Sequence, residues 1–274
     1  MRSPGPIGVF DSGYGGLTVL KEIVKQLPAY DYIYLGDNAR APYGNRSFEA
    51  VYAFTWQCVQ HLFAMGCQLV ILACNTASAK ALRSIQQFDL PSLDAHRRVL
   101  GVIRPTAEVI GNATQSKHIG IFATAGTVRS DTYPMEIKKF FPHVHVYQQA
   151  CPMWVPIVEN NEMHTPGADY FIAKYIRELL NQSEQIDTIV LGCTHYPLLI
   201  PQMKKYLPAH ITIVSQDALV AASLADYLQR HPEMEAVCSK NNRIEFFTTD
   251  DCENFDNHAQ LFFGRPVKSK CLQL

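Results

Sequence analysis

Cys74 and Cys193 occupy matching places in two similar stretches of the chain. Leu69-Val70-Ile71-Leu72-Ala73-Cys74-Asn75-Thr76 reads as a buried strand ending in a small residue, then a cysteine and polar residues. Thr188-Ile189-Val190-Leu191-Gly192-Cys193-Thr194-His195 repeats that pattern. Upstream, Ile7-Gly8-Val9-Phe10-Asp11-Ser12-Gly13 is echoed by Ile119-Gly120-Ile121-Phe122-Ala123-Thr124-Ala125. Each strand-like Ile-Gly-x-Phe precedes its cysteine by about 70 residues, which marks an internal duplication. A thiol with an unperturbed pKa of about 8.5 is a usable acid or base near neutral pH. Two thiols at equivalent strand ends can reach one carbon from opposite sides. Such a pair can remove a proton from one face and return one to the other.

Each cysteine is expected to end a strand and start a helix, where free N–H groups favour an anion and Thr76 and Thr194 add hydroxyls. A buried cysteine taken alone is more often a packing residue, and that reading is kept for Cys58, Cys67, Cys238, Cys252 and Cys271. Cys151 lies at a strand end but has no matched partner. The turn Asp11-Ser12-Gly13-Tyr14-Gly15-Gly16 lacks the Lys-Ser/Thr of a P-loop and does not fit G-x-G-x-x-G, so a nucleotide cradle is disfavoured. Asp11 is the better clue there. Its counterpart is Ala123, so the two halves are chemically unequal. His195 reads as a proton relay for Cys193 or as a loop histidine that only hydrogen-bonds. Glu159 reads equally well as a solvated carboxylate at a helix start. No C-x-x-C occurs, and Cys193-x-His195 has no second ligand pair nearby, so no metal site is expected.

The elements that must position these residues alternate between short apolar runs and amphipathic stretches. Strands are predicted at 7–10, 32–35, 69–73, 100–102, 119–122, 144–147, 188–191, 211–214 and 244–247. Phe48, Val51, Tyr52, Thr55, Val59, Leu62 and Phe63 recur at helical spacing, as do Tyr170, Ile172, Ala173, Ile176, Leu179 and Leu180. This alternation implies βαβ units, and hence an α/β fold with mostly parallel sheet. Ligands of such sheets bind beyond the carboxyl ends of the strands, where Asp11, Cys74, Thr124 and Cys193 all fall. The repeat predicts two similar domains facing one another across a cleft, with the boundary near 94–100.

The bulk properties agree with an enzyme of this kind. The chain has 274 residues, 47% of them hydrophobic and 18% charged, with a formal net charge of −1. That composition supports a large core and offers no basic stripe for nucleic acid. Met1-Arg2-Ser3-Pro4-Gly5-Pro6 leads directly into a strand-like run, with no signal-peptide pattern. The stretch 50–79 carries no formal charge, but Gln57, Gln60, His61, Gln68 and Asn75 break it, so no membrane span is expected. Eight cysteines in a chain of this length without a leader are expected to be free thiols in a reducing, cytoplasmic compartment.

Five motifs in order resemble the glutamate racemase family across nearly the whole chain. They are Asp11-Ser12-Gly13-x-Gly15-Gly16, Pro42-Tyr43-Gly44, Ala73-Cys74-Asn75-Thr76-Ala77, Thr124-x-x-Thr127 and Gly192-Cys193-Thr194-His195-Tyr196-Pro197-Leu198. The resemblance implies an amino-acid racemase that needs no cofactor and interconverts L- and D-glutamate, the D isomer being destined for peptidoglycan. It implies that Cys74 and Cys193 are the acid–base thiols, assisted by Asp11, His195 and Glu159. It assigns substrate contacts to Asp11, Ser12, Tyr43, Gly44, Asn75, Thr76, Thr124, Thr127, Thr194 and His195. It also implies pseudo-twofold-related parallel-sheet domains with the site in their cleft, the C-terminal segment returning to the first domain. The expected domains are therefore residues 1–98 with 212–274, and 99–211. The stretch 92–98 is longer than the shortest family members have. An aspartate racemase would share the two-thiol logic, but Thr194-His195-Tyr196-Pro197 favours the glutamate type. A non-catalytic binder that regulates a gyrase would have lost a thiol or Asp11, and neither is lost. The expected partner is the small-molecule substrate, and a homodimer is the one macromolecular assembly left open.

Overall fold

The apolar runs become the buried strands of two parallel sheets. The structure is a computed structural model that describes residues 3–274. Met1 and Arg2, which begin both the N-terminal run and the first expected domain, lie outside the described residues. Contacts divide the chain into a first unit, residues up to Val102 together with Asp217–Leu274, and a second, Ile103–Gln216.

The first unit holds a six-stranded sheet in the order β10-β9-β2-β1-β3-β4. Its strands are β1 (Ile7–Asp11), β2 (Tyr32–Gly36), β3 (Leu69–Leu72), β4 (Arg98–Gly101), β9 (Ile244–Thr248) and β10 (Ser269–Cys271). The second holds a four-stranded sheet in the order β6-β5-β7-β8. These strands are β5 (His118–Ala123), β6 (His145–Ala150), β7 (Thr188–Gly192) and β8 (Thr212–Val214). All the pairings are parallel. The order 2-1-3-4 in the first sheet recurs as 6-5-7-8 in the second, so the duplication read from the sequence is also a duplication of topology. β1, β3 and β7 are buried along their whole length, as expected of strands covered on both faces.

Helices begin where capping chemistry permits. Helix α1 (Gly16–Gln26) buries Leu17, Val19, Leu20 and Ile23. Helix α2 (Phe48–Ala64) is capped by Ser47, whose hydroxyl accepts from the Ala50 amide at 3.2 Å, and buries Val51, Thr55, Cys58, Val59, Leu62 and Phe63. The uncharged stretch 50–79 thus splits into α2 and β3. Among the described residues no helix is long and apolar enough to cross a membrane. Helix α3 (Asn75–Lys80) follows β3 directly.

Three expectations are corrected. The chain passes between units at Val102–Ile103 and Gln216–Asp217, not at 98 and 211. The reason is strand pairing. β4 continues the first sheet in register with β3, from Leu69↔Arg98 to Leu72↔Gly101, while β8 pairs with β7 from Thr188↔Thr212 to Val190↔Val214. Strand β10 was absent from the predicted set, being short and polar. Cys252 and Cys271 are not free thiols but a disulfide, with Cα atoms 5.8 Å apart. β10 runs back along the helix Cys252–Phe263, where the Ser269 amide donates to Asp256 at 2.9 Å, and this brings the two cysteines together.

Asp31 holds the C-terminal return in place. Its carboxylate, just before β2, accepts from the Ser239 hydroxyl (2.6 Å), the Asn241 amide and side chain (3.0 and 2.6 Å) and the Arg243 amide (3.0 Å). Burial works against the charge, but these hydrogen bonds outweigh it and hold the carboxyl below its usual range. Such a carboxylate contributes fully above its unfolded pKa of about 3.9, and the contribution is lost as pH falls through the lower folded value. Asp31→Asn is expected to destabilise the protein by about 1–3 kcal/mol at pH 7. It should also flatten the fall in urea midpoint below about pH 4, measured by equilibrium unfolding across pH.

Candidate active site

In each sheet the strand order reverses beside the first strand of the repeat. Open α/β sheets bind ligands at such a switch point, beyond the carboxyl ends of the strands. In the first unit the switch lies between β1 and β3, so Asp11 at the end of β1 neighbours Cys74 just after β3. The Ala73 amide donates to the Phe10 carbonyl at 2.8 Å and fixes the two strand ends side by side.

The turn after β1 is built tightly around Asp11, which is 1% exposed. The Asp11 carboxylate accepts from the Gly13 amide at 2.9 Å, and the Tyr34 hydroxyl donates to the Gly13 carbonyl at 2.8 Å. Gly16 has to be glycine. A Cβ there would lie 2.6 Å from the Asp11 Cβ and 2.9 Å from the Ala73 Cβ, closer than carbon atoms pack. Cys74 caps α3, its sulfur accepting from the Ala77 amide at 3.4 Å and lying 3.5 Å from the Ser12 hydroxyl. Asn75 and Thr76 form the first turn of α3 and are buried beside it. Asp11, Ser12, Cys74, Asn75 and Thr76 therefore form one cluster.

Tyr43 and Gly44 lie in a single 3-10 turn, Tyr43–Asn45, after β2. The Tyr43 hydroxyl donates to Asp37, a fully buried carboxylate that also accepts from Arg40 Nε (2.7 Å) and the Thr249 hydroxyl (2.8 Å). With that hydroxyl committed, Tyr43 can offer a ligand its backbone more readily than its phenol. Asp37 and Arg40 share with Tyr43 the loop after β2, whereas Thr249, 212 residues from Asp37, is the supporting residue that sequence spacing could not place.

In the second unit β5 and β7 repeat the switch. Thr124 follows β5 and caps the helix Ala125–Ser130, its hydroxyl accepting from the Thr127 amide at 3.3 Å and lying 3.1 Å from the Thr127 hydroxyl. Cys193 and Thr194 follow β7 and are each 6% exposed. Here the expectation of a helix start is corrected. Cys193 leads through His195 into the 3-10 turn Tyr196–Leu199, because Pro197 and a second proline, Pro201, suit short turns. His195 Nδ1 lies 3.8 Å from the Cys193 sulfur, and His195 Nε2 lies 2.9 Å from Glu159 Oε1.

Glu159 is the last residue of the helix Trp154–Glu159, not the first of one. A carboxylate there opposes the helix dipole, and the pairing with His195 offsets that. Burial resists charge on His195, yet its hydrogen bonds to Cys193 and Glu159 win and raise its pKa to about 10. A carboxylate, an imidazolium and the Cys193 sulfur lie in sequence. In this charge state the relay can donate a hydrogen bond to a Cys193 thiolate but has no free ring nitrogen to take a proton from the thiol. Thr124, Thr127, Glu159, Cys193, Thr194 and His195 belong to this unit, and the other candidates belong to the first.

Each of the two parallel sheets thus carries a cysteine among hydroxyl, carboxylate or imidazole side chains at its switch point. The chain belongs to the Asp/Glu/Hydantoin racemase family, which it matches over residues 7–223. It is an isomerase of the amino-acid racemase class. It is 38% identical over 268 residues to the glutamate racemase of Enterococcus faecalis, a match covering 96% of this chain and 94% of that one. The structure superimposes on glutamate racemase isoform RacE1 from Bacillus anthracis with a TM-score of 0.89, at 35% identity and with 98% of each chain covered. It superimposes on the Francisella tularensis glutamate racemase in complex with D-glutamate with a TM-score of 0.86, at 28% identity, covering 98% of this chain and 97% of that one.

The relay makes a direct prediction. The His195 ring should titrate near pH 10 in an NMR titration of the folded protein. Because this folded value lies above the unfolded one of about 6.5, the stabilisation is complete below pH 6.5 and is lost as pH rises toward 10. Glu159→Gln should move the titration downward. An unchanged midpoint would mean that the carboxylate does not support the imidazolium.

Proposed function

We propose that this chain interconverts L- and D-glutamate in the cytoplasm by a two-thiol acid–base mechanism that uses no cofactor, supplying D-glutamate for peptidoglycan. One observation carries the reading. Buried cysteines close equivalent strands of two topologically repeated sheets, and each is surrounded by groups able to exchange or orient a proton. The names of the relatives, and the D-glutamate held by one structural neighbour, support glutamate as the substrate.

The mechanism requires both thiols to address one Cα from opposite faces. Starting from L-glutamate, Cys193 as thiolate takes the Cα proton while Cys74 as neutral thiol delivers its own to the other face. Starting from D-glutamate, the roles reverse. After each turnover the thiols have exchanged protonation states, so the product form is ready for the reverse reaction. The negative charge that develops on the substrate needs fixed donors. The hydroxyls of Ser12, Thr76, Thr124, Thr127 and Thr194, the Asn75 amide and the backbone at Tyr43 and Gly44 are the groups proposed to supply them. Asp11 serves the Cys74 side, and the His195–Glu159 pair serves Cys193.

Circular dichroism of pure L- or pure D-glutamate, incubated with the protein and no added cofactor, should decay to zero from either sign. Cys74→Ser and Cys193→Ser should each lower kcat by at least about a hundredfold, since a serine hydroxyl is a poor base near neutral pH. In D₂O the early product should carry deuterium at Cα. Near-normal turnover in either variant, in both directions, would overturn the two-base reading.

A further inference from the structure

The chain returns from the second unit to the first at two successive residues, Gln216 and Asp217. Each is tied within its own unit to the support of a candidate thiol. Gln216 is 4% exposed, and its side-chain amide donates to the Thr106 hydroxyl at 2.9 Å and the Tyr133 hydroxyl at 2.6 Å. Both acceptors are fully buried. Thr106 lies in the helix Ile103–Ala107, immediately after the outward passage at Val102–Ile103. Tyr133 packs its ring edge against Gly192, the residue before Cys193, so closely that a Cβ there would lie 3.1 Å from it. The Cys193 strand end therefore rests on a ring whose hydroxyl Gln216 holds.

Asp217 makes the corresponding attachment in the first unit. The Thr18 hydroxyl lies 3.0 Å from Asp217 Oδ1 and 3.1 Å from the Gly15 carbonyl, sharing its proton between them. Gly15 directly precedes Gly16, the residue that packs on Asp11, and Thr18 follows it by two residues; Ser12 of the same turn lies 3.5 Å from the Cys74 sulfur.

We propose that Gln216 and Asp217 are positioning residues for the two half-sites, Gln216 seating Cys193 through Tyr133 and Asp217 seating the Asp11-Ser12 turn beside Cys74 through Thr18. Neither touches the reacting atoms. The inference deepens the racemase reading and rests on it for its kinetic consequence. Its structural consequence is independent, because each residue should control the reactivity of one thiol and not the other.

The test uses full-length Gln216→Leu, Asp217→Asn and Tyr133→Phe, the last keeping the ring while deleting its hydroxyl. Kinetic constants are measured with both enantiomers. Iodoacetamide alkylation rates are measured separately at Cys74 and Cys193 by peptide mass spectrometry. Gln216→Leu should lower kcat by about tenfold with little change in KM, the size expected for losing the buried hydrogen bond to Tyr133, the one of its two that acts on alignment. It should change the Cys193 alkylation rate and spare that of Cys74. Tyr133→Phe should reproduce this pattern, and the double variant should lose no more than either single one. Asp217→Asn should change Cys74 and spare Cys193. Unaltered kcat in all the variants, or equal changes at both thiols, would overturn the assignment. If the unmodified protein fails to racemise glutamate, the functional reading falls, and the thiol-selective alkylation pattern still decides the positioning claim.

Discussion

The parallel ladder that joins β1 to β3, repeated between β5 and β7, is the constraint on which the site depends. Each of these strands lies between two others in its sheet, so its side chains must be apolar along almost its whole length. Polar chemistry can enter only where the ladder stops. Parallel strands stop together at their carboxyl ends, which brings residues distant in sequence, such as Asp11 and Cys74, to adjacent positions. The second sheet does the same for Thr124 and Cys193. The first glycine-rich turn then works by subtraction. At Gly16 the absence of a side chain lets α1 start directly against Asp11 and Ala73.

From the same backbone plan the surroundings of the two cysteines take different electrostatics. Around Cys74 the neighbours are a backbone amide, a hydroxyl and the buried Asp11 carboxylate at the end of β1. Around Cys193 stands a histidine held charged by a carboxylate, while the position matching Asp11 is Ala123. A thiol beside an imidazolium and a thiol capping a helix respond differently to the same substrate charge. Chemical asymmetry on a symmetric scaffold suits a reaction whose two directions begin from different enantiomers.

Much of this was legible in the sequence, for a definite reason. Buried parallel strands such as Leu69–Leu72 and Thr188–Gly192 read as mainly apolar runs, and the residues that follow them fall at the carboxyl ends, where open α/β sheets bind ligands. What local pattern could not show were contacts made across long separations. Glu159 reaches His195 from a helix 36 residues earlier, and Thr249 reaches Asp37 across 212 residues. Sequence spacing does not record such meetings. The unit boundaries were displaced for a related reason: a passage between units is set by which sheet a strand joins, and β4 pairs with β3 while β8 pairs with β7.

The unequal size of the two sheets follows from one further difference. β2 and β6 occupy the same place in the repeated order, each beside the first strand of its half. β2 reads Tyr32-Ile33-Tyr34-Leu35-Gly36 and is buried throughout, whereas β6 reads His145-Val146-Tyr147-Gln148-Gln149-Ala150 and is partly exposed along its length. An edge strand exposes its backbone groups and one flank of its side chains, and tolerates this when it is polar. β6 can therefore end its sheet. Were β2 to do so, each large apolar side chain left in water would forfeit about 1.5–3 kcal/mol. The chain meets this by returning, and β9 pairs with β2 from Tyr32↔Ile244 to Gly36↔Thr248. Asp31 fastens the approach to β9, and Thr249 at its far end joins the Asp37 network that holds Tyr43. Covering an apolar edge thus also braces the loop that carries Tyr43 and Gly44, so the extra strands of the first sheet support that loop as well as the core.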